Sequence, residues 1–136
     1  MKKPTVPLEK EECKIFAQWL DVKGLRFSHI ANESINKIEA MNKYRLGVRK
    51  GVPDYLIILP SKNLLFIEMK RKKGSVVSQE QKDWLHDLNQ IPSVQCEIAY
   101  GAEEAINIVN HFLNADRTDN RVAPRDECCL QMSLFL

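Results

Sequence analysis

Two carboxylates and a lysine stand where the chain could do chemistry. Asp54 closes the run Gly51-Val52-Pro53-Asp54, and Glu68-Met69-Lys70 begins fourteen residues after Asp54. Carboxylates hold divalent cations, and an ammonium beside them orients a water or balances phosphate charge. Those are the groups a metal-dependent phosphodiester hydrolase uses. A hard ion such as Mg²⁺ or Mn²⁺ takes oxygen ligands, which these side chains offer. A plainer reading is an ion pair of Asp54 and Glu68 with Lys70 at two strand ends. It leaves the Gly-x-Pro-Asp turn without a purpose.

The elements that must position these residues are short apolar runs. Tyr55-Leu56-Ile57-Ile58-Leu59 lies between Pro53 and Pro60, and Leu64-Leu65-Phe66-Ile67 follows after Ser61-Lys62-Asn63. Such runs between turn residues predict a buried hairpin. Side chains alternate along a strand, so Glu68 and Lys70 share one face and Met69 takes the other. Antiparallel pairing then sets Asp54, at the start of the first strand, beside Glu68, near the end of the second.

With these motifs goes a third, Ser78-x-x-Gln81-x-x-Trp84. Together the three resemble the VRR-NUC domain (virus-type replication-repair nuclease) of the PD-(D/E)xK nuclease superfamily, over about residues 27–113. The chain is similar in size to the small stand-alone, phage-type members. The resemblance implies an α/β fold with a restriction-endonuclease-like core, and Mg²⁺- or Mn²⁺-dependent cleavage of DNA in replication, repair or recombination. It further implies selectivity for branched DNA and a homodimer. Carried over by position, Asp54 and Glu68 match the metal-binding acids and the Met69 backbone carbonyl a further ligand. Lys70 matches the lysine that orients the attacking water or stabilises the phosphorane. Glu33, in Ala31-Asn32-Glu33, matches the upstream acid, and Gln81 the helix glutamine beside the site.

Two of these residues also have a structural reading. Glu33 suits the first turn of a helix starting near Ser34, where the dipole favours an acid. Ser78 and Gln81 suit a capping box, with Ser78 as N-cap and Gln81 at N3. Trp84 and Leu85 read as the core face of that helix rather than as a stacking platform.

Charge is distributed unevenly. The net charge is only +2. Lys43, Arg45, Arg49 and Lys50 nevertheless lead into the Gly-x-Pro-Asp turn, and Arg71, Lys72 and Lys73 follow Lys70 directly. A basic rim around an acidic centre suits a phosphate backbone, which such contacts position without reading its sequence. The acids of Glu9, Glu11 and Glu12 and of Glu103 and Glu104 read as lying elsewhere.

The remaining pattern gives the order α-β-α-β-β-α-β-α, a mixed β-sheet flanked by helices. Helices are expected over residues 8–22, with Ile15, Phe16, Trp19 and Leu20 on the apolar face, and over 35–42, with Ile35, Ile38 and Met41 inward. Further helices are expected over 79–89 and over 102–113, the last with Ala102, Ala105, Ile106, Val109 and Leu113 on one face. Strands over 26–30 and 94–100 complete the sheet.

The 136 residues, 44% of them hydrophobic and 28% charged, fit a single domain with one core. No apolar stretch approaches the roughly 20 residues of a membrane span. The N-terminal residues lack a signal-peptide core. A cytosolic protein with no membrane partner is therefore expected, and the resemblance to phage-type members implies a bacterial or phage-infected bacterial cell. Cys13, Cys96, Cys128 and Cys129 lack metal-ligand spacing, and Cys128-Cys129 reads as free thiols. His29, His86 and His111 are assigned no catalytic role.

Residues 114–130 are polar and aperiodic and read as a flexible linker after a nuclease domain over 1–113. Residues 131–136 resemble the bacterial sliding-clamp-binding peptide. By that resemblance Gln131 sets the register, Met132 takes the aliphatic position, and Leu134 and Phe135 fill the clamp's pocket. A tail that folds back onto its own domain is the alternative. For the whole chain the alternative to a nuclease is a non-catalytic DNA-binding or replisome-recruitment module that keeps the fold. A clustered set of acids facing phosphate argues against that module. Action on RNA is a weaker option, because nothing here reads a 2′-hydroxyl.

Overall fold

A computed structural model describes residues 9–119. The elements run α1 (Glu9–Lys23), β1 (Arg26–His29), α2 (Lys37–Arg45), β2 (Tyr55–Ile58), β3 (Leu64–Lys70), α3 (Gln79–Asn89), β4 (Val94–Tyr100) and α4 (Ala102–Asp119). This is the order read from the sequence. The sheet is mixed, in the spatial order β1-β2-β3-β4. β1, β2 and β3 pair antiparallel, with Tyr55 opposite both His29 and Ile67. β3 and β4 pair parallel, with Glu68 opposite Ile98. The hairpin β2–β3 is therefore the one expected, and Lys62 in its loop takes a positive φ of 70°.

Alternation along the strands sorts the side chains. Tyr55, Ile57 and Leu59 from β2 and its end, with Leu65, Ile67 and Met69 from β3, bury against Phe16 and Leu20 of α1 and Ala105 and Val109 of α4. Phe16 meets Tyr55 edge-on, with ring centroids 5.2 Å apart. Glu68 and Lys70 turn to the opposite face, where α3 lies against β4. There Asn89 locks α3 to the strand by accepting from the Cys96 N–H and donating to its carbonyl.

The polarity of the elements sets the position of the site. His29 ends β1, Asp54 precedes β2, Lys70 ends β3 and Tyr100 ends β4, all at one edge of the sheet. α1, α3 and α4 begin at this edge, so their positive dipole ends gather where the acids are.

Some expectations about faces need correction. Ile15 of α1 is half exposed, whereas Glu12 is buried in line with Phe16 and Leu20 at spacing of four. α2 starts at Lys37, capped by Asn36, so Glu33 precedes the helix rather than sitting in its first turn. Ile35, Ile38 and Met41 are not inward; they are 93%, 74% and 53% exposed. Their spacing is helical, but α2 packs against no other helix or strand among the described residues. Trp84 and Leu85 are half-buried and stand apart from the main core. α4 continues through Asp119, into the stretch read as linker, because no Gly or Pro stops it there. The peptide 131–136, with Cys128 and Cys129, lies outside the described residues. No helix among the described residues is long and apolar enough to cross a membrane.

Candidate active site

The turn that carries Asp54 is fixed from behind. Gly51 has φ +90°, and a Cβ there would meet the Glu80 and Gln81 backbone at 2.6–2.8 Å. Only glycine allows both the left-handed backbone and this approach. The Gly-x-Pro-Asp run is thereby seated on the first turn of α3. Pro53 is buried, and the Asp54 carbonyl accepts from the Ile30 N–H at 2.6 Å, tying the turn to the end of β1.

Asp54 then closes over β3. Its Oδ2 accepts from the Met69 N–H at 2.7 Å. Continuing the β2–β3 register by one position sets Asp54 opposite Glu68. Glu68 is 6% exposed. Its Oε1 accepts from Gln81 Nε2 at 2.6 Å and lies 3.8 Å from Lys70 Nζ. Its Oε2 is buried without a hydrogen-bond partner.

Electrostatics show what this arrangement lacks. Burial, reinforced by the Asp54 charge, pushes the Glu68 carboxyl up to about 8, with Lys70 opposing. Burial also raises Asp54, although the Met69 N–H, His29 and Lys70 pull it down. Two desolvated acids side by side favour a shared proton or a cation. One lysine does not supply enough positive charge to satisfy both.

Gln81 unites its two sequence readings. Its Oε1 accepts from the Ser78 N–H at 3.0 Å and its N–H donates to Ser78 Oγ at 3.2 Å, which is the capping box. Its amide nitrogen remains to hold Glu68. The cap fixes the rotamer that delivers the donor.

A cleft of about 560 Å³ opens beside Asp54, lined also by Glu9, Cys13, His29, Glu33 and Arg71. Glu33 stands in its lip, exposed, and does not bond Asp54 or Glu68. Glu9 raises both of those acids. Of the α1 acids expected to lie elsewhere, Glu9 is therefore at the site. Glu9 faces the cleft, and Glu12 Oε2 accepts from the Ala102 N–H at 2.6 Å, capping α4. The missed signal was phase: Glu12 repeats with Phe16 and Leu20, and Glu9 with Cys13, at spacing of four along the inward face. His29, also passed over, lines the cleft with its ring centroid 5.0 Å from that of Tyr55. Burial pushes the Cys13 thiol up to about 11, which disfavours the reactive thiolate.

The basic residues separate into different roles. Arg71 enters the cleft. Lys72 turns away, against Tyr100, Glu103 and Glu104. Lys43 donates to the Glu33 carbonyl and pairs with Glu39 at 3.2 Å. Arg49 donates to the Tyr44 carbonyl at 2.8 Å and covers the Tyr44 ring at 4.2 Å. Arg45, Lys50 and Lys73 are exposed. Lys43 and Arg49 thus serve first to shape the segment between β1 and β2.

Among the described residues, no three His, Cys, Asp or Glu side chains are grouped to hold a metal ion by themselves. The donor set nevertheless suits a hard cation: carboxylate oxygens only, one of them buried and unbonded, in a site short of positive charge.

The family model described as VRR-NUC domain matches residues 8–103. A solved structure titled "VRR_NUC domain protein" superposes with a TM-score of 0.66 at 20% identity, covering 83% of this chain and 92% of that one. A second, titled "VRR_NUC domain", gives 0.56 at 16% identity, covering 76% and 96%. No curated protein matches the chain.

Proposed function

The chain belongs to the VRR-NUC domain family, a nuclease-type DNA-processing family, and on that premise we propose that it is a divalent-metal-dependent deoxyribonuclease acting in replication, repair or recombination. The observation that carries the reading is the Asp54–Glu68 pair. The buried Glu68 and the half-buried Asp54 are held side by side by Gln81 and Met69, and the Glu68 Oε2 has no hydrogen-bond partner. A fold does not keep such an arrangement for stability alone, because a buried carboxylate oxygen left without a hydrogen-bond partner is destabilising.

Asp54 and Glu68 would hold the ion, with the Met69 carbonyl and an acid from the cleft, Glu9 or Glu33. Mg²⁺ or Mn²⁺, when bound, supplies Lewis-acid stabilisation of phosphate charge and a more acidic water. Gln81 fixes the Glu68 carboxylate. Lys70, nearly buried beside Glu68, holds its ammonium where it can orient a water or meet the developing phosphorane charge. Arg71 in the cleft offers a phosphate contact.

The test is cleavage of labelled linear, flapped and four-way-junction DNAs with Mg²⁺ or Mn²⁺, run beside Glu68→Ala. Metal-dependent cutting lost in the variant supports the nuclease. No cutting on any substrate, with DNA binding intact, replaces it by a recruitment module. Residues 131–136 supply a separable function, docking to a bacterial sliding clamp, which would concentrate the enzyme on DNA. Clamp co-elution unchanged by their deletion would remove that part.

A further inference from the structure

α2 and the loop after it form a ridge that the nuclease reading leaves unused. Ile35, Ile38, Met41, Tyr44 and Leu46 are 93%, 74%, 53%, 58% and 86% exposed. Scattered exposed apolar residues are ordinary, but five within twelve residues form a patch. The helix touches no other helix or strand among the described residues. Its own conformation is fixed locally, by the Asn36 cap, by Lys43 on the Glu33 carbonyl and by Arg49 on the Tyr44 carbonyl. Glu33 lines the same cleft as Asp54, so the ridge begins at the lip of the site.

Charge selects the occupant. Residues 35–50 carry Lys37, Lys43, Arg45, Arg49 and Lys50 against the single acid Glu39. An isologous contact with a second copy would set this charge against itself. A polyanion meets it favourably. Paired bases offer their apolar faces only to one another, whereas unpaired bases expose theirs to side chains. Wedges of Ile, Leu and Met are a known means of entering or holding open a base stack. One face of the Tyr44 ring is already covered by the Arg49 guanidinium, which orders the ring as a platform.

We propose that the exposed apolar ridge of α2 contacts unpaired bases of the DNA strand presented to the site, with its flanking basic residues on the adjacent phosphates. This rests on DNA being the substrate and makes the ridge the element that selects DNA with unpaired bases.

The experiment compares the full chain with an Ile35→Ser/Ile38→Ser/Met41→Ser variant, since these side chains pack on no other element. A matched thermal melt confirms that the variant is folded. Fluorescence anisotropy measures binding to a fully paired duplex and to the same duplex with a central unpaired stretch. Glu68→Ala is added to both chains to prevent cutting. The parent is expected to prefer the unpaired probe by about tenfold or more. The variant should lose that preference and keep its duplex affinity within about twofold. Equal affinity of the parent for both probes, or a preference that survives in the variant, overturns the proposal. So does a parent dimer that the variant converts to monomer with the preference unchanged, which would make the ridge a protein interface. Because the readout is binding, absence of cleavage overturns the nuclease reading alone.

Discussion

The Gln81 amide donates to Glu68 Oε1 at 2.6 Å while its own carbonyl accepts from the Ser78 N–H. One side chain thus closes the N-terminus of α3 and orients the buried acid of β3. Substitution can separate these roles. Gln81→Ala removes both, and should lower stability by about 1 kcal/mol through the lost cap. Gln81→Glu keeps an acceptor for the cap but turns the donor into a like charge. Each should lower cleavage by about 10–100-fold, as for removal of groups that orient metal ligands. Melting curves beside single-turnover rates test this. A Gln81→Glu that stays folded but cleaves about 10–100-fold more slowly is the expected outcome, and full activity in it would remove Gln81 from the site.

Burial sets a pH dependence on the Glu68 carboxyl. It ionises near ~4.3 in an unfolded chain and near about 8 in the fold. Between those values the folded state keeps a proton that the unfolded state has released. Its contribution is therefore fully favourable below the unfolded pKa and is lost as pH rises through the folded one. The melting temperature should fall from pH 5 to pH 8, and Glu68→Gln should flatten that slope. Mg²⁺ binds the ionised form, so its stabilising effect should be larger at pH 8 than at pH 5.5. Thermal shifts across pH, with and without Mg²⁺, provide the measurement.

Gly51→Ala should destabilise strongly. A left-handed backbone costs an alanine about 1–2 kcal/mol, and here the added methyl also meets main-chain atoms of Glu80 and Gln81 under 3 Å away. Neither can rotate aside as a side chain tip would. The turn would have to lift off α3, carrying Asp54 away from Met69. A denaturant midpoint unchanged in Gly51→Ala would contradict this seating.

The order of elements was legible because β2 and β3 carry short apolar runs between turn residues and the main helices each have one apolar stripe. Asp54, Glu68 and Lys70 could be placed because strand alternation and an antiparallel hairpin leave little freedom. What stayed hidden depended on packing partners. Ile35, Ile38 and Met41 have the spacing of a buried face, yet the sequence does not record that nothing lies opposite them. Glu9 and Glu12 read as first-turn acids lying away from the site, since acids there are common. The burial of Glu12 depends on α4 starting beside α1, and the place of Glu9 depends on the cleft it shares with His29 and Asp54, contacts between residues far apart in the chain. That Lys43 also bonds the Glu33 carbonyl and Arg49 the Tyr44 carbonyl was equally hidden, since a main-chain partner leaves no mark in the sequence.

The two α1 acids should behave oppositely when neutralised. Glu12 Oε2 caps α4 through the buried Ala102 N–H. Glu12→Ala leaves that donor unsatisfied, which costs about 1–3 kcal/mol, while cleavage measured well below the melting point should be little changed. Glu9 faces Asp54 and Glu68 and raises both. Glu9→Gln removes a like charge from that group, so stability without metal should hold or rise slightly. The same change weakens the attraction for a divalent ion, so the Mg²⁺ concentration for half-maximal cleavage should increase severalfold. Parallel melts and Mg²⁺ titrations of the two variants decide the matter. If Glu9→Gln leaves the Mg²⁺ requirement unchanged while Glu33→Gln raises it, the upstream ligand comes from the loop before α2 rather than from α1.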